Sequence, residues 1–186
     1  MVRLMLARID AAVNAVIDHW LAAMNWLMAV YVALPVAAPL LTALGAHAPA
    51  DAIYRLYSYT CHQLPSHSWY LLGQKMAYCQ RDTAIYGAML LGGLAYARRR
   101  GPGLPFLAFA LLSLPIALDG GAATLGVRES TPLLRTLTGT LFGLAAAWFV
   151  YPLMDRALAN LRPPAPAVHP SGDASREPAP GPARAP

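Results

Sequence analysis

The sequence predicts an all-α integral membrane bundle of about four transmembrane helices, with an outer loop and a disordered C-terminal tail. Three observations predict it. The chain is 57% hydrophobic and 12% charged over 186 residues, whereas a soluble domain carries about 25% charged residues. Its apolar residues fall in long runs, so lipid is the natural solvent for most of the chain. Of its 14 basic residues only Lys75 is a lysine, and the arginines flank the apolar runs as topology determinants do. With the arginines so placed, the net charge of +5 does not point to nucleic acid. The expected partners are the lipid bilayer and a second copy or a membrane-complex subunit.

Residues 1–19 read as an interfacial N-terminal helix or a polar extension of the first span, because Asp10, Asn14 and Asp18 recur every four residues and form one polar stripe. Arg3 and Arg8 before an apolar stretch resemble a secretory signal. The run is too long for a signal core, so a retained helix is expected. Residues 20–45 form the first span, with Pro35 and Pro39 expected to kink its outer half. The long connection 46–82 is rich in Tyr, His and Ser and reads as the outer loop. A second span is expected over 78–97, where Gly87, Gly92 and Gly93 would let another helix approach closely.

Arg98-Arg99-Arg100-Gly101-Pro102-Gly103 makes a tight basic turn. The third span, 104–127, either ends at Asp119 or breaks at Gly120-Gly121 and resumes. The fourth, 133–154, follows Ser130-Thr131-Pro132, a helix-capping sequence with proline in first position. These spans make up a transmembrane domain over 20–158. The remainder, 159–186, reads as a disordered tail, with 8 prolines among the 24 residues from Pro163 onward.

Placing the triple-arginine turn inside puts both termini in the cytoplasm. Seven arginines (3, 8, 98, 99, 100, 156 and 162) then face in, against five bases (Arg55, Lys75, Arg81, Arg128 and Arg135) facing out. Asp10 and Asp18 argue against a transit peptide, so a prokaryotic plasma membrane is expected. Whichever way the protein faces, alternation of the spans forces 46–82 and 119–135 onto one side.

Three constellations on that side could carry chemistry. In the first, Cys61, His62, Cys79 and Asp82 offer thiolate, imidazole and carboxylate, the usual ligand set for zinc or another transition metal. Cys79 and Asp82 are three apart and share a face if a helix starts there. Gln63 and His67 lie beside them. Cys61 and Cys79 could instead form a disulfide closing the loop, a cross-link worth about 3 kcal/mol, and Asp82 could simply cap the second helix. No CxxCH haem-attachment sequence occurs. In the second, Asp119 follows Pro115 in an apolar run, where an ionisable group suggests function or a buried partner. In the third, Arg128, Glu129 and Arg135 could hold an anion, or could brace Arg81, Asp82 and Asp119 as ion pairs.

At these motifs the chain resembles the predicted membrane proteins of the domain of unknown function 2085 family. That family's pattern runs CHQ-x-P-x-R-S, then C-x-R-C-T-G-I-Y, then L-P-x-x-x-D-G, then R-E-S-T with a following R and TG. The matching residues are Cys61-His62-Gln63, Pro65, Ser68, Cys79, Arg81, Thr83, Ile85 and Tyr86 in the first half of the pattern. In the second half they are Leu114-Pro115, Asp119-Gly120, Arg128-Glu129-Ser130-Thr131, Arg135 and Thr138-Gly139. The resemblance covers about residues 50–150. It implies a small multi-helix membrane protein and brings no biochemical activity. His67 stands where the family usually has arginine, and Asp82 where many members have a third cysteine.

The expected function is therefore a metal-binding or thiol redox site on the extracytoplasmic face of a multi-pass protein. Two other readings accompany it: a transporter or permease subunit with a broken-helix site at Asp119, and a structural or assembly subunit of a membrane complex. No catalytic residue is assigned.

Overall fold

The computed structural model describes residues 2–161. Five helices occur among them: α1 (Val2–Ala43), α2 (His47–Ser58), α3 (Gln80–Arg98), α4 (Phe106–Thr124) and α5 (Pro132–Ala159). Between α2 and α3 lie a short 3-10 turn (Pro65–His67) and the antiparallel hairpin of β1 (Ser68–Leu71) and β2 (Gln74–Cys79). The connection expected as a loop is thus folded. It holds a helix and the chain's one described sheet, so the architecture is helical with a small β element. The proline-rich tail, from residue 162 on, lies outside the described residues.

Glycine decides which helices meet. A Cβ on Gly143 of α5 would sit 2.3 Å from the Ile85 carbonyl oxygen of α3, and one on Gly139 would sit 2.8 Å from that of Arg81. From the α3 side, a Cβ on Gly92 would lie 2.7 Å from the Ala147 Cβ. Small residues four apart let two backbones touch in lipid, where tight packing replaces the hydrophobic drive. Gly87 is different: a Cβ there meets nothing within 4 Å, so its expected packing role is not seen. Helix α4 lies on α5, α1 packs along α3, and α2 and the hairpin pack against α1.

Three helices are long and apolar enough to cross a membrane: α1 over Arg8–Ala43, α4, and α5. Helix α3, the remaining long helix, is about 28 Å long at 1.5 Å per residue, roughly the bilayer core. It falls short on hydropathy because Arg81, Asp82 and Arg98 sit at its ends and its contact face is glycine and alanine. Val2–Ala43 is one continuous helix, so the stripe of Asp10, Asn14 and Asp18 extends the first span. One sequence expectation changes here. Helix α4 neither ends at Asp119 nor breaks at Gly120-Gly121; it runs on to Thr124.

Proline leaves a carbonyl without its helical donor, and the fold supplies others. In α1, Pro35 cannot donate to the Tyr31 oxygen, which accepts instead from the Tyr57 hydroxyl of α2 at 2.7 Å. In α5, Pro152 cannot donate to the Trp148 oxygen, which accepts from the Leu104 amide at 3.1 Å. The first bond ties α2 to α1. The second ties the basic turn to α5.

Candidate metal centre

The two cysteines are brought together by two backbone devices. The hairpin closes through Leu72-Gly73, both at positive φ (52° and 74°), the pattern of a two-residue type I′ turn. Its register pairs Ser68 with Cys79 and delivers Cys79 to the first turn of α3. On the other side Gln63 takes a left-handed φ of 51°. Its Nε2 donates to the Tyr54 oxygen at 2.7 Å, and its own carbonyl accepts from Lys75 Nζ at 2.6 Å. Gln63 is therefore a clamp that turns Cys61 toward β2. Lys75 also lies 5.9 Å over the Tyr54 ring, and its carbonyl accepts from the Tyr54 hydroxyl.

The Cys61 and Cys79 sulfurs and one Asp82 carboxylate oxygen all lie within 4.8 Å of one another. The Cys79 amide donates to Cys61 Sγ at 3.2 Å. Cys79 Sγ donates to Asp82 Oδ2 at 3.2 Å and accepts from the Asp82 amide at 3.4 Å. Cys79, not Asp82, is therefore the N-cap of α3. Both cysteines are free thiols, Cys61 buried and Cys79 half-buried. Zinc–ligand bonds of about 2.0–2.3 Å at tetrahedral angles put ligand atoms roughly 3.5–3.8 Å apart. The triad is close to that spacing, and a small adjustment would let it share one ion.

The thiols titrate as a pair. The hydrogen bond from Cys79 draws the Cys61 thiol below its ordinary value, against burial and the Asp82 carboxylate. The same hydrogen bond, then burial, pushes the Cys79 thiol well above its own. His67 is lowered, first by burial and next by the Arg135 charge, so its imidazole is neutral near pH 7. A cavity of about 390 Å³ opens beside the triad, with His62, Gln63, His67 and Arg81 on its wall and Thr124 of α4 closing it. His62 is exposed and does not join the triad. Side chains at adjacent positions diverge, so Cys61 and His62 cannot easily reach one ion.

Behind the triad stands an ion-pair brace. Asp119, with its side chain 3% exposed, accepts from Arg81 Nη2 at 2.6 Å, Arg128 Nη2 at 3.1 Å and the Ser130 hydroxyl at 2.6 Å. Arg135 is buried and donates to Gln80 Oε1 at 3.2 Å, so it tethers α5 to the first turn of α3. Glu129 is exposed and makes no salt bridge among the described residues. Asp82 turns to Cys79 instead of joining the brace.

Several contributors are given no place at the site by the sequence reading. Ser130 and Gln80 lie inside the quoted motifs, and Ser130 was read besides as part of a helix cap. Tyr31, Tyr57, Tyr78 and Tyr86 form an edge-on and stacked cluster directly beneath the thiols. They come from three helices and a strand, so no periodicity marks them. A second polar node lies at the other end of the bundle. Asp155 accepts from Trp20 Nε1 at 2.9 Å, the Tyr96 hydroxyl at 2.6 Å and Arg100 Nη1 at 3.2 Å. An isolated acid at the end of an apolar run was its signal. Polar chemistry is therefore not confined to the side opposite the triple arginine.

Residues 61–149 match the model of a family described as a predicted membrane protein, DUF2085. The uncharacterized protein MJ1492 of Methanocaldococcus jannaschii is 35% identical over an alignment of 107 residues that covers 54% of this chain and 67% of that relative. The chain belongs to the DUF2085 family. No solved structure matches it. The DUF2085 match begins at Cys61 and includes the whole triad and its brace. The whole of α1 and the whole of α2 precede it.

Proposed function

We propose that this DUF2085 protein is a multi-pass membrane protein holding a divalent transition metal, zinc above all, on its extracytoplasmic face. Cys61, Cys79 and Asp82 are the ligands. The observation that carries the reading is the mutual approach of two sulfurs and a carboxylate oxygen at a helix N-terminus beside an open cavity. Three protein ligands with a cavity at the fourth position are what a reactive metal site needs, whereas closed structural sites use four. The cavity-lining His67, neutral for the reason given, supplies a further nitrogen nearby. A bound metal would polarise or deprotonate a molecule entering the cavity. The protein's part is to hold the thiolates, and the Arg81–Asp119–Arg128 brace fixes the turn that carries Asp82.

The topology belongs to the same proposal. Gln80 and Arg135 mark one polar layer and Tyr96 and Asp155 the other. Along α5 the two layers are 20 residues apart (155 − 135), about 30 Å at 1.5 Å per residue, which is the hydrocarbon thickness. On this basis α3 crosses together with α1, α4 and α5, with the basic turn and both termini in the cytoplasm of a plasma membrane. The transporter reading loses its broken helix, because α4 is continuous and Asp119 is fully partnered.

The test is metal analysis of the purified full chain with a parallel thiol count. About one zinc per chain in the wild type, lost in Cys79→Ser and in Asp82→Ala, supports the reading. A metal-free chain in which Cys61 and Cys79 oxidise to one disulfide would replace it with dithiol exchange. A metal-free chain with two unreactive thiols would leave an assembly role.

A further inference from the structure

The metal reading leaves most of the cavity beside the triad without a role. The cavity measures about 390 Å³, and beyond the three ligands its polar walls are His62, Gln63, His67, Arg81 and Thr124. Arg81 is the one permanent cation among them. Its side chain is 23% exposed, and Asp119 takes only its Nη2, at 2.6 Å. Its Nε is buried without a partner, and no described residue bonds its Nη1.

That guanidinium is held in place before any ligand arrives. Asp119 fixes it, yet shares its carboxylate with Arg128 and Ser130. Gly120 of α4 meets it with bare backbone: a Cβ there would lie 3.3 Å from Arg81 Nη1 and 3.7 Å from its Cζ. A second cation acts on the same space. Arg135 is 5% exposed, and the partner of its Nη1 is the neutral Gln80. No carboxylate among the described residues forms a salt bridge with it, although buried charges are ordinarily paired. The charges of Arg135 and Arg81 both reach His67 on the cavity wall, and that of Glu129 opposes them. The one carboxylate on that wall, Asp82, is committed to Cys79 and, in the metal reading, to the ion.

We propose that the cavity takes a small soluble anion, one that carries a carboxylate or a phosphate, with its oxyanion on Arg81. A guanidinium presents its N–H groups as a planar fork that matches either group. A ligand without an acceptor would leave those N–H groups desolvated and unpaired. This names the substrate class of the site described above. It rests on the metal reading, in which the ion offsets the charge of Asp82 and the thiolates. A molecule anchored on Arg81 then has its remaining atoms in the same cavity as the metal ligands.

The test is isothermal titration calorimetry of the full chain in detergent, with zinc content read on the same samples. The probes are succinate, its uncharged analogue succinamide, inorganic phosphate and phosphatidylglycerol. The wild type should bind succinate or phosphate at least about tenfold more tightly than succinamide, the worth of one charge-assisted hydrogen bond. Arg81→Gln should remove that preference, and Arg81→Lys should keep part of it. Because Arg81→Gln also opens the brace, Thr124→Trp is the second variant. It fills the cavity from the exposed end of α4 and should abolish binding with zinc content unchanged. Arg55→Gln, exposed on α2 and outside the cavity, should change nothing. The proposal falls if succinamide binds as well as the anions, or if Thr124→Trp leaves binding intact. It also falls if Arg55→Gln costs as much as Arg81→Gln, which would mean unlocalised charge. Displacement of succinate by phosphatidylglycerol would make a lipid headgroup the occupant and overturn it as well. A zinc-loaded wild type without the preference overturns this proposal and leaves the metal reading standing. A zinc-free chain that still binds succinate through Arg81 removes the metal reading and supports the anion site.

Discussion

Arg81 Nη2 lies 2.6 Å from Asp119 Oδ2, joining the first turn of α3 to the fourth turn of α4 across 38 residues of sequence. Arg81 stands beside Asp82, so this contact couples the candidate metal centre to a helix whose main packing is on α5. Removing one partner of a buried pair leaves an uncompensated charge and costs about 3–5 kcal/mol. Asp119→Ala should therefore lower the unfolding temperature in detergent sharply. Arg128→Gln should cost less than about 1 kcal/mol, because the Arg128 side chain is 59% exposed and surface pairs contribute little. Equal losses in the two variants would show that the brace is not what holds α4.

The Tyr57–Tyr31 bond makes a sharper test, because the missing donor is known. Tyr57→Phe leaves the Tyr31 carbonyl unsatisfied and should cost about 1–3 kcal/mol. Pro35→Ala restores a helical N–H to the same oxygen. The double variant Pro35→Ala/Tyr57→Phe should then be less destabilised than the two single losses added together. Simple additivity in chemical unfolding would refute the proline account.

Helix approach is tested by two glycines. Gly143→Ala pushes a methyl into the Ile85 backbone at 2.3 Å, where no side chain can move aside. Overpacking of this kind costs about 1–3 kcal/mol. Gly87→Ala meets nothing within 4 Å and should be neutral or stabilising by about 0.5–1 kcal/mol through helix propensity. Thermal unfolding of the two variants side by side decides it.

Thiol reactivity carries the pH prediction. Cys61 lies below its ordinary value chiefly through the Cys79 hydrogen bond, and Asp82 opposes that shift. In the metal-free chain the pH midpoint for iodoacetamide alkylation of Cys61 should rise in Cys79→Ala and fall in Asp82→Asn. A depressed thiol value also stabilises the fold above the unfolded thiol value, and that contribution fades as pH falls through the folded one. Midpoints that do not move, or that move the same way in both variants, would separate the thiols from one another and from Asp82.

Much of the molecule was legible in the chain. Long apolar runs, arginine placement and proline positions report local transfer free energies and backbone restrictions, and these decide that helices form and where lipid begins. Alternation of spans then put 46–82 and 119–135 on one side, and Asp119 meets Arg81 and Arg135 meets Gln80. The folded hairpin was not legible, because Leu72 in a left-handed conformation is not a residue that advertises a type I′ turn. Nor was the continuity of α4 through Gly120-Gly121. Glycine weakens a helix locally, and only its packing on α5 and the brace at Asp119 keep the helix intact there.

The sequence by itself determined the class of the protein, a helical membrane bundle, and its inventory of thiols, imidazoles and charges, since both follow from composition and short-range spacing. Tertiary structure alone decided which of them meet. Cys61 and Cys79 converge, with Asp82 beside Cys79 and His62 turned away, because the Gln63 clamp and the Ser68–Cys79 register act together across 18 residues (79 − 61) of chain. Asp155 likewise became a node only when α1, α3 and the basic turn packed against α5. Periodicity constrains a single element, whereas a binding site depends on the relative placement of several, and that is set by the contacts between them.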